Sequence, residues 1–218
     1  MSRLSRAASV FVLVAYPALA NAQGRQPDEP RVSLYAGAGE STLFRGDLEF
    51  THALGGEIGL RVPLSSRVHW DVSVGQFRRG TSLVALDVPL SSPTTLLGRA
   101  DRLDQRTDRK ATTADAVLVA SGNAGRVGIG AGGGVGLMVL GRVFRQTLTG
   151  CSPGAESFCS GQTRTDFTSS TATILGLGTV DVRLTPRIAL YGAGRFTLVL
   201  RDVASSGLRV TGGARISP

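Results

Sequence analysis

The feature that most constrains this chain is a strict two-residue alternation of apolar residues with polar or small ones. In residues 54–64 one face carries Leu54, Gly56, Ile58, Leu60, Val62 and Leu64, and the other carries Gly55, Glu57, Gly59, Arg61 and Pro63. Residues 68–77 and 207–216 repeat this alternation, and no segment beyond the first 22 residues has a convincing i, i+3, i+4, i+7 apolar stripe. Because successive side chains of a β-strand point to opposite faces, the sequence predicts an all-β fold.

Eight such runs follow one another along the chain: residues 31–41, 54–64, 68–77, 111–121, 127–146, 170–184, 188–201 and 207–216. Most of them reach the length of about 9–11 residues that a tilted strand needs to cross a bilayer. Tight connections at 64–67, 121–126 and 184–187 alternate with longer polar ones at 42–51, 80–110, 147–167 and, shorter, 202–207. This alternation is typical of an eight-stranded antiparallel up-and-down transmembrane β-barrel, which is the fold we predict.

Most of the ionisable residues within these runs lie on the face opposite to the aliphatic one. A soluble core could bury so many charges only at a heavy desolvation cost, whereas charges inside a narrow membrane barrel can pair with one another. We therefore expect the aliphatic face to contact lipid. The predicted polar network of the lumen comprises Glu57, Arg61, His69, Asp71, Asp115, Arg142, Asp181, Arg183, Arg195, Arg209 and Arg215. A soluble periplasmic barrel of the lipocalin type is the structural alternative.

Aromatic residues near the ends of the predicted strands suggest belts at the two membrane interfaces. The predicted external belt comprises Phe44, Phe50, Phe77, Phe144 and Phe167, and the periplasmic belt comprises Tyr35, Trp70 and Tyr191. Four of these residues, Phe77, Phe144, Tyr35 and Tyr191, have the parity of the lumen face. Either their strands contain bulges or the belt is incomplete.

The N-terminus has the three parts of a secretory signal peptide. Arg3 and Arg6 form a basic region, an apolar stretch follows, and Ala20-Asn21-Ala22 forms a small-x-small cleavage site. The apolar stretch is shorter than the roughly 20 residues of a membrane-spanning helix. We expect a signal peptide at 1–22, a short periplasmic segment at 23–30 and the barrel at 31–218, with the mature protein exported to the bacterial outer membrane.

The two cysteines, Cys151 and Cys159, lie in a segment rich in small and turn-forming residues. In an exported protein this spacing favours a local disulfide bond. Zinc binding is the alternative, but two cysteines do not complete a zinc site, and His52 and His69 are distant in sequence. We predict no metal and no cofactor.

The net charge of +8 is carried by arginine with a single lysine, and removal of Arg3 and Arg6 lowers it by two, to +6. Export makes nucleic acid an improbable partner, so phosphate-bearing lipid headgroups or ion pairs in the lumen explain the charge better. Basic and acidic residues are mixed in the long connection at 80–110 and beside it: Arg78, Arg79, Arg99, Arg102, Arg106, Arg109 and Lys110 with Asp87, Asp101, Asp104 and Asp108. Lipopolysaccharide phosphates suit such arginines, and a solvated mobile loop is the simpler interpretation.

With these features the chain resembles the family of small outer-membrane β-barrel proteins that includes the transmembrane barrel of outer membrane protein A and outer membrane protein X. The resemblance extends from about residue 31 onward and rests on the signal peptide, the strand count, the alternating connections and the closing strand at 207–216. Many members end in an aromatic residue, whereas this chain ends Ile216-Ser217-Pro218. The resemblance implies folding by the barrel-assembly machinery, and we expect a monomer in the outer-membrane lipid.

Two motifs could carry chemistry. Gly128, Gly130 and Gly133 match the dinucleotide-binding pattern G-x-G-x-x-G, but they lie inside a strand pattern with no helix after them. His69, Asp71 and Ser73 share the lumen face of one strand at spacings of about 6.6 Å, which makes a direct relay along the strand strained. A polar network with neighbouring arginines explains these three residues better than a catalytic site.

Three functions therefore remain open for a barrel of this kind. We favour a structural or surface-interaction protein without enzymatic activity. A narrow channel or carrier is the second hypothesis, although side chains can fill the interior of eight strands. An outer-membrane hydrolase or acyltransferase that uses the His69 region is the third.

Overall fold

The computed structural model describes residues 32–44, 50–92, 95–153, 159, 162–200 and 206–218. The predicted signal peptide at 1–22 and the segment at 23–30 lie outside these residues. Among the described residues there is no helix with the length and apolar character required to cross a membrane.

Eight strands form one closed antiparallel ring in chain order, which confirms the predicted up-and-down barrel. Their bounds are β1 Ser33–Phe44, β2 Phe50–Pro63, β3 Val68–Ser92, β4 Thr95–Ala124, β5 Val127–Cys151, β6 Gln162–Arg183, β7 Ile188–Val199 and β8 Ser206–Ile216. The first and last strands close the ring, with Leu34 opposite Ile216 and Phe44 opposite Ser206. No strand edge is left along this seam, which is how a barrel satisfies its backbone hydrogen bonds in lipid.

The turns before β3 and β7 are built in the same way. In the first, the Ser65 hydroxyl accepts hydrogen bonds from the amides of Arg67 (3.3 Å) and Val68 (3.1 Å). In the second, the Thr185 hydroxyl accepts from the amides of Arg187 (3.3 Å) and Ile188 (3.0 Å). The turn between β4 and β5 instead uses Gly125, whose φ of 62° is a conformation that glycine adopts without strain. All three turns fall where the sequence predicts tight connections.

Alternate residues of each strand face outward and inward, as the sequence pattern predicts. The outward residues are aliphatic and exposed, including Leu54 (69% exposed), Ile58 (58%) and Val210 (54%). The charged residues on the other face are buried, including Glu57, Asp71 and Arg195. An apolar outer surface around a charged interior is the arrangement of a membrane barrel and the reverse of a soluble one.

The predicted aromatic belt is wrong for Tyr35, Tyr191 and Phe77, because all three are buried on the inward face. The rings of Tyr35 and Tyr191 meet edge to face at a centroid distance of 4.8 Å. Glycines make this possible, since a Cβ atom at Gly59 would collide with the Tyr35 ring and one at Gly37 with the Tyr191 hydroxyl. Lumen parity thus outweighs the general preference of aromatic residues for membrane interfaces.

The structure separates into two compact units. The first unit contains β1, β2, β7, β8 and the adjoining parts of β3–β6, and the second consists of Arg78–Ala111 and Val139–Ser170. The predicted loop at 80–110 is wrong over most of its length, because β3 continues to Ser92 and β4 starts at Thr95. The predicted loop at 147–167 is wrong at both ends, because β5 runs to Cys151 and β6 starts at Gln162. A polar composition predicts a loop here, but it does not prevent backbone pairing, and these strands continue through the polar segments.

Candidate functional site

The interior of the first unit is organised around Arg195, a side chain that is 1% exposed. Its Nη1 atom donates to both carboxylate oxygens of Glu57, at 2.6 and 2.7 Å. Its Nη2 atom donates to the Tyr35 hydroxyl at 2.9 Å and to Asp71 Oδ1 at 3.2 Å. One guanidinium on β7 therefore joins side chains from three other strands, β1, β2 and β3.

The groups around this guanidinium are themselves hydrogen-bonded. The Tyr35 hydroxyl donates to Asp71 Oδ1 at 2.6 Å. Glu57 Oε1 also accepts hydrogen bonds from Thr211 Oγ1 at 2.7 Å and from the Tyr191 hydroxyl at 3.4 Å. Charge-assisted hydrogen bonds of this kind are stronger than neutral ones, so the cluster ties the strands together.

A second buried group lies next to the first. Arg209 Nη2 donates to Asp115 Oδ2, and Arg209 Nη1 donates to Thr113 Oγ1. The guanidinium carbon of Arg209 lies 5.6 Å from the centre of the Phe77 ring, within the range of a cation–π contact. Arg209 Nε is 3.7 Å from Glu57 Oε2, which links the two groups.

The third group involves Asp181, whose Oδ2 atom accepts from Arg61 Nη1 at 2.7 Å and from Arg215 Nη1 at 3.0 Å. Arg61 Nε is also 3.6 Å from Asp71 Oδ2, so this group is continuous with the Arg195 cluster. We name the whole set the lumen network. It contains four arginines and four carboxylates: Arg61, Arg195, Arg209 and Arg215 with Glu57, Asp71, Asp115 and Asp181.

Equal numbers of opposite charges explain how the barrel tolerates this interior. Removing an ion from water costs several kcal/mol, and the cost is recovered only by pairing and further hydrogen bonds. Beside the network lies an apolar cluster of Tyr35, Val117, Val119, Leu175, Leu177, Tyr191 and Ala193. Side chains therefore fill this part of the interior, as expected for eight strands.

Three of the residues that the sequence predicts for the network are not members of its ion pairs in the part of the chain that the structure describes. Arg142 has lumen parity but belongs to the second unit and is half-buried. Arg183, the last residue of β6, is exposed because the strand ends there. His69 is buried and faces inward, but its Nε2 atom has no hydrogen-bond partner in the part of the chain that the structure describes.

Sequence reasoning missed the uncharged members of the network. Thr113 and Thr211 donate or accept within it, and Tyr35 and Tyr191 supply hydroxyls. Their lumen parity is the signal that could have found them. A search restricted to ionisable residues overlooks such groups.

A cavity of about 520 Å³ opens among the tight turns, where β1 begins and β8 ends. Its charged and titratable lining consists of Arg61, His69, Asp181, Arg183, Arg187 and Arg215. The cavity adjoins the lumen network, since Arg61, Asp181 and Arg215 belong to both.

The hypothesis of catalysis at His69, Asp71 and Ser73 finds no supporting geometry. Ser73 Oγ is buried without a hydrogen-bond partner among the described residues, so no base is positioned to activate it. Asp71 is engaged by Tyr35 and Arg195 rather than by His69. The described residues also contain no cluster of three or more His, Cys, Asp or Glu side chains that could hold a metal ion.

The G-x-G-x-x-G motif is part of β5 and has no helix after it, so the dinucleotide pattern lacks its structural context. A Cβ atom at Gly130 would meet Thr179 Oγ1 at 2.7 Å and Val119 Cγ1 at 3.0 Å. Gly130 therefore makes room for side chains of the neighbouring strands, and Gly128 makes room for the side chain of Asn123.

In the second unit, exposed arginines pair with aspartates two residues further along the same strand. Arg102 and Arg164 each form a two-pronged pair, with Asp104 at 2.8 and 2.9 Å and with Asp166 at 3.0 and 2.9 Å. The hydrogen bond from Arg164 holds the pKa of Asp166 below its usual value, and the hydrogen bond to Asp104 raises the pKa of Arg102. Arg106 pairs with Asp108 at 3.3 Å.

A disulfide bond joins Cys151, at the end of β5, to Cys159, with the two Cα atoms 5.9 Å apart. The arginine-rich segment of this unit therefore consists of paired strands that carry their own counter-charges. The disulfide bond and the strand pairing both restrain a region that the sequence analysis predicts as loops.

Comparisons with known proteins find likeness in structure alone. No protein-family model matches the chain, and no curated protein matches it in sequence. Neisserial surface protein A is similar in structure, with a TM-score of 0.50, 12% identity, and coverage of 86% of this chain and 97% of that one. At this identity the likeness concerns the fold.

Two further solved structures match with lower scores. Ail, the attachment invasion locus protein of Yersinia pestis, in complex with the heparin analogue sucrose octasulfate, has a TM-score of 0.48 and 14% identity, covering 86% of this chain and 99% of that one. The outer membrane protease OmpT from Escherichia coli has a TM-score of 0.36 and 9% identity, covering 87% and 97%.

Proposed function

We propose that this chain, which has the fold of the small eight-stranded outer-membrane barrels, is an integral outer-membrane protein with a structural or surface-interaction role. The observation that carries the proposal is the lumen network. Arg195, Glu57 and Asp71 meet inside the barrel with side chains that are at most 2% exposed. A barrel whose interior is filled in this way acts through its outer surfaces.

Transport would require the network to open. Each arginine of the network has at least one carboxylate partner, and breaking one buried pair by removing a partner costs about 3–5 kcal/mol. A transient opening of several pairs would be correspondingly rare. We therefore place the narrow-channel hypothesis behind the structural one.

We propose the second unit as the surface that interacts outside the membrane. Residues 78–111 contain seven basic and four acidic residues, so the segment keeps a positive charge after its internal pairing. Arginine forks bind phosphate oxygens in two-pronged geometry. We propose lipopolysaccharide phosphates as partners of this surface, with outer-membrane lipid as the partner of the aliphatic face.

The proposal also covers how the chain is folded into the membrane and its oligomeric state. We propose that the exported chain is folded by the barrel-assembly machinery and remains a monomer, because β1 pairs with β8 along the closing seam and leaves no strand edge there for a second copy. The absence of enzymatic activity is also part of the proposal.

Conductance across planar lipid bilayers tests the closed lumen. The refolded wild-type protein should insert without producing current steps. As a control for the sensitivity of the recording, the double variant Arg195→Ala/Arg209→Ala removes the two most buried arginines and should give steps if it folds. Regular steps from the wild-type protein would contradict the proposal and restore the channel hypothesis.

Binding of lipopolysaccharide is tested separately. We expect the detergent-folded protein to bind lipopolysaccharide more tightly than it binds dephosphorylated lipopolysaccharide, and the variant Arg109→Gln/Lys110→Gln to lose most of that difference. The matched control Arg102→Gln/Arg106→Gln removes the same charge from arginines that are paired with Asp104 and Asp108, and it should keep most of the difference. Equal binding of both lipid forms would refute lipopolysaccharide phosphate as the partner.

A further inference from the structure

Each of the three tight turns ends in an arginine that stands directly before a β-branched apolar residue. The pairs are Arg67-Val68, Arg126-Val127 and Arg187-Ile188, at the starts of β3, β5 and β7. The turns otherwise differ in sequence, with Leu-Ser-Ser-Arg, Asn-Ala-Gly-Arg and Leu-Thr-Pro-Arg. The arginine therefore recurs at one topological position, and we name these three residues the turn collar.

The backbone at these positions has the same role in all three turns. The carbonyl oxygens of Arg67, Arg126 and Arg187 accept hydrogen bonds from the amides of Ser121 (2.7 Å), Arg183 (2.8 Å) and Ser217 (2.8 Å). These bonds extend the sheet around the ring and require no particular side chain. The recurrence of arginine consequently needs an explanation outside the backbone.

The collar lies where the aliphatic outer face ends. Val127 and Ile188 are outward-facing and 40% and 43% exposed. The arginine before each is exposed as well, and Arg187 also lines the cavity among the turns. In a membrane barrel this is the boundary between hydrocarbon and headgroups. Arginine can keep its aliphatic stem along apolar surface at such a boundary while its guanidinium reaches the polar layer.

The collar arginines also differ from those of the second unit in their neighbours. Arg102, Arg106 and Arg164 each have an aspartate two residues further along. The turn segments 64–67, 121–126 and 184–187 contain no aspartate or glutamate. The charge of the collar is therefore not neutralised by its own turns.

We propose that the turn collar binds the phosphates of anionic phospholipids in the periplasmic leaflet. The proposal rests on the outer-membrane placement given above, and it adds a lipid class and a site. Guanidinium forks match phosphate geometry, and attraction to an anionic lipid surface contributes per arginine near that surface. The preference for anionic over zwitterionic lipid at this end of the barrel follows from these charges.

The test measures lipid selectivity of the folded protein in phosphatidylcholine membranes that contain spin-labelled lipid. The fraction of spin label that is motionally restricted by the protein is measured for labelled phosphatidylglycerol and for labelled phosphatidylcholine. The ratio of the two gives the relative association of these lipids with the protein. We expect the wild-type protein to prefer phosphatidylglycerol about two- to fivefold at low salt, and the preference to shrink as salt screens it. The triple variant Arg67→Gln/Arg126→Gln/Arg187→Gln should fall to about equal association.

The matched control is Arg102→Gln/Arg106→Gln/Arg164→Gln, which removes the same charge from the second unit and should keep the wild-type preference. If the triple collar variant fails to fold, the single variants Arg67→Gln and Arg126→Gln should each lower the preference in part. No preference in the wild-type protein, an unchanged preference in the collar variants, or equal losses in collar and control variants would overturn the proposal. Heat-dependent gel migration of each variant separates these results from a failure of membrane folding.

Discussion

Replacement of Arg195 by alanine should strongly destabilise the barrel. The substitution removes the partner of both Glu57 oxygens and of Asp71 Oδ1. Loss of one member of a buried ion pair costs about 3–5 kcal/mol. We expect a loss near the lower value, about 3 kcal/mol, because Glu57 keeps its hydrogen bond from Thr211 and Asp71 keeps its bond from Tyr35.

The assay is equilibrium unfolding in urea with the protein in detergent micelles, followed by heat-dependent gel migration. With a denaturant slope of about 1–3 kcal/mol per molar, the midpoint should fall by roughly 1–3 M. The variant Arg164→Ala, which breaks an exposed pair with Asp166, is the control and should leave the midpoint unchanged. A double-mutant cycle with Glu57→Gln should show that part of the loss is shared by the two residues. An unchanged midpoint for Arg195→Ala would refute the view that this guanidinium holds the strands together.

Three further predictions concern other parts of the chain. Gly59→Ala places a methyl group against the Tyr35 ring and should lower the free energy of unfolding by about 1–3 kcal/mol. The control Gly176→Ala, with no atom within 4 Å of the added carbon, should be neutral, and equal effects of the two variants in urea unfolding would argue against the inward placement of Tyr35. Cys151→Ser should speed proteolysis within residues 152–158 and leave the barrel midpoint unchanged, since the disulfide restrains a short loop; identical digestion of both proteins would count against this role. Carboxyl-carbon NMR should show Asp166 titrating below its ordinary pKa of 3.8, so its ion pair with Arg164 should persist until the pH falls through that lowered pKa. Arg164→Gln should raise the titration midpoint of Asp166, and an unchanged titration midpoint would contradict the pairing.

The period-two pattern was sufficient to predict the strand count, the antiparallel ring and the face of each strand. It succeeded because a strand buried on one side by lipid and on the other by a charged lumen leaves an unambiguous alternation in its sequence. Residues 54–64 and 68–77 illustrate this, since Glu57, Arg61 and Asp71 all face inward as their parity requires. The three tight turns could likewise be predicted from their small and turn-forming residues.

The lengths of the strands and the individual ion-pair partners were harder to predict from the sequence. Segment 80–110 is rich in charged and small polar residues, and such a composition does not report whether its backbone is paired, so most of a hairpin was taken for a loop. Pairing in the lumen depends on which strands lie side by side across the interior, as with Arg195 and Glu57, which are 138 residues apart in sequence. Arg142 shows the same limit, since correct parity did not reveal that β5 continues beyond the lumen network.

The membrane placement of the aliphatic face is tested most directly by gel migration of the mature protein, unboiled against boiled, after refolding in detergent and in buffer alone. The account predicts a heat-dependent shift only for the detergent-folded sample, because Leu54, Ile58 and Val210 are exposed on a face that water does not favour. A stable, soluble and monomeric fold in buffer, with no shift in detergent, would contradict it and make a periplasmic binder the better description.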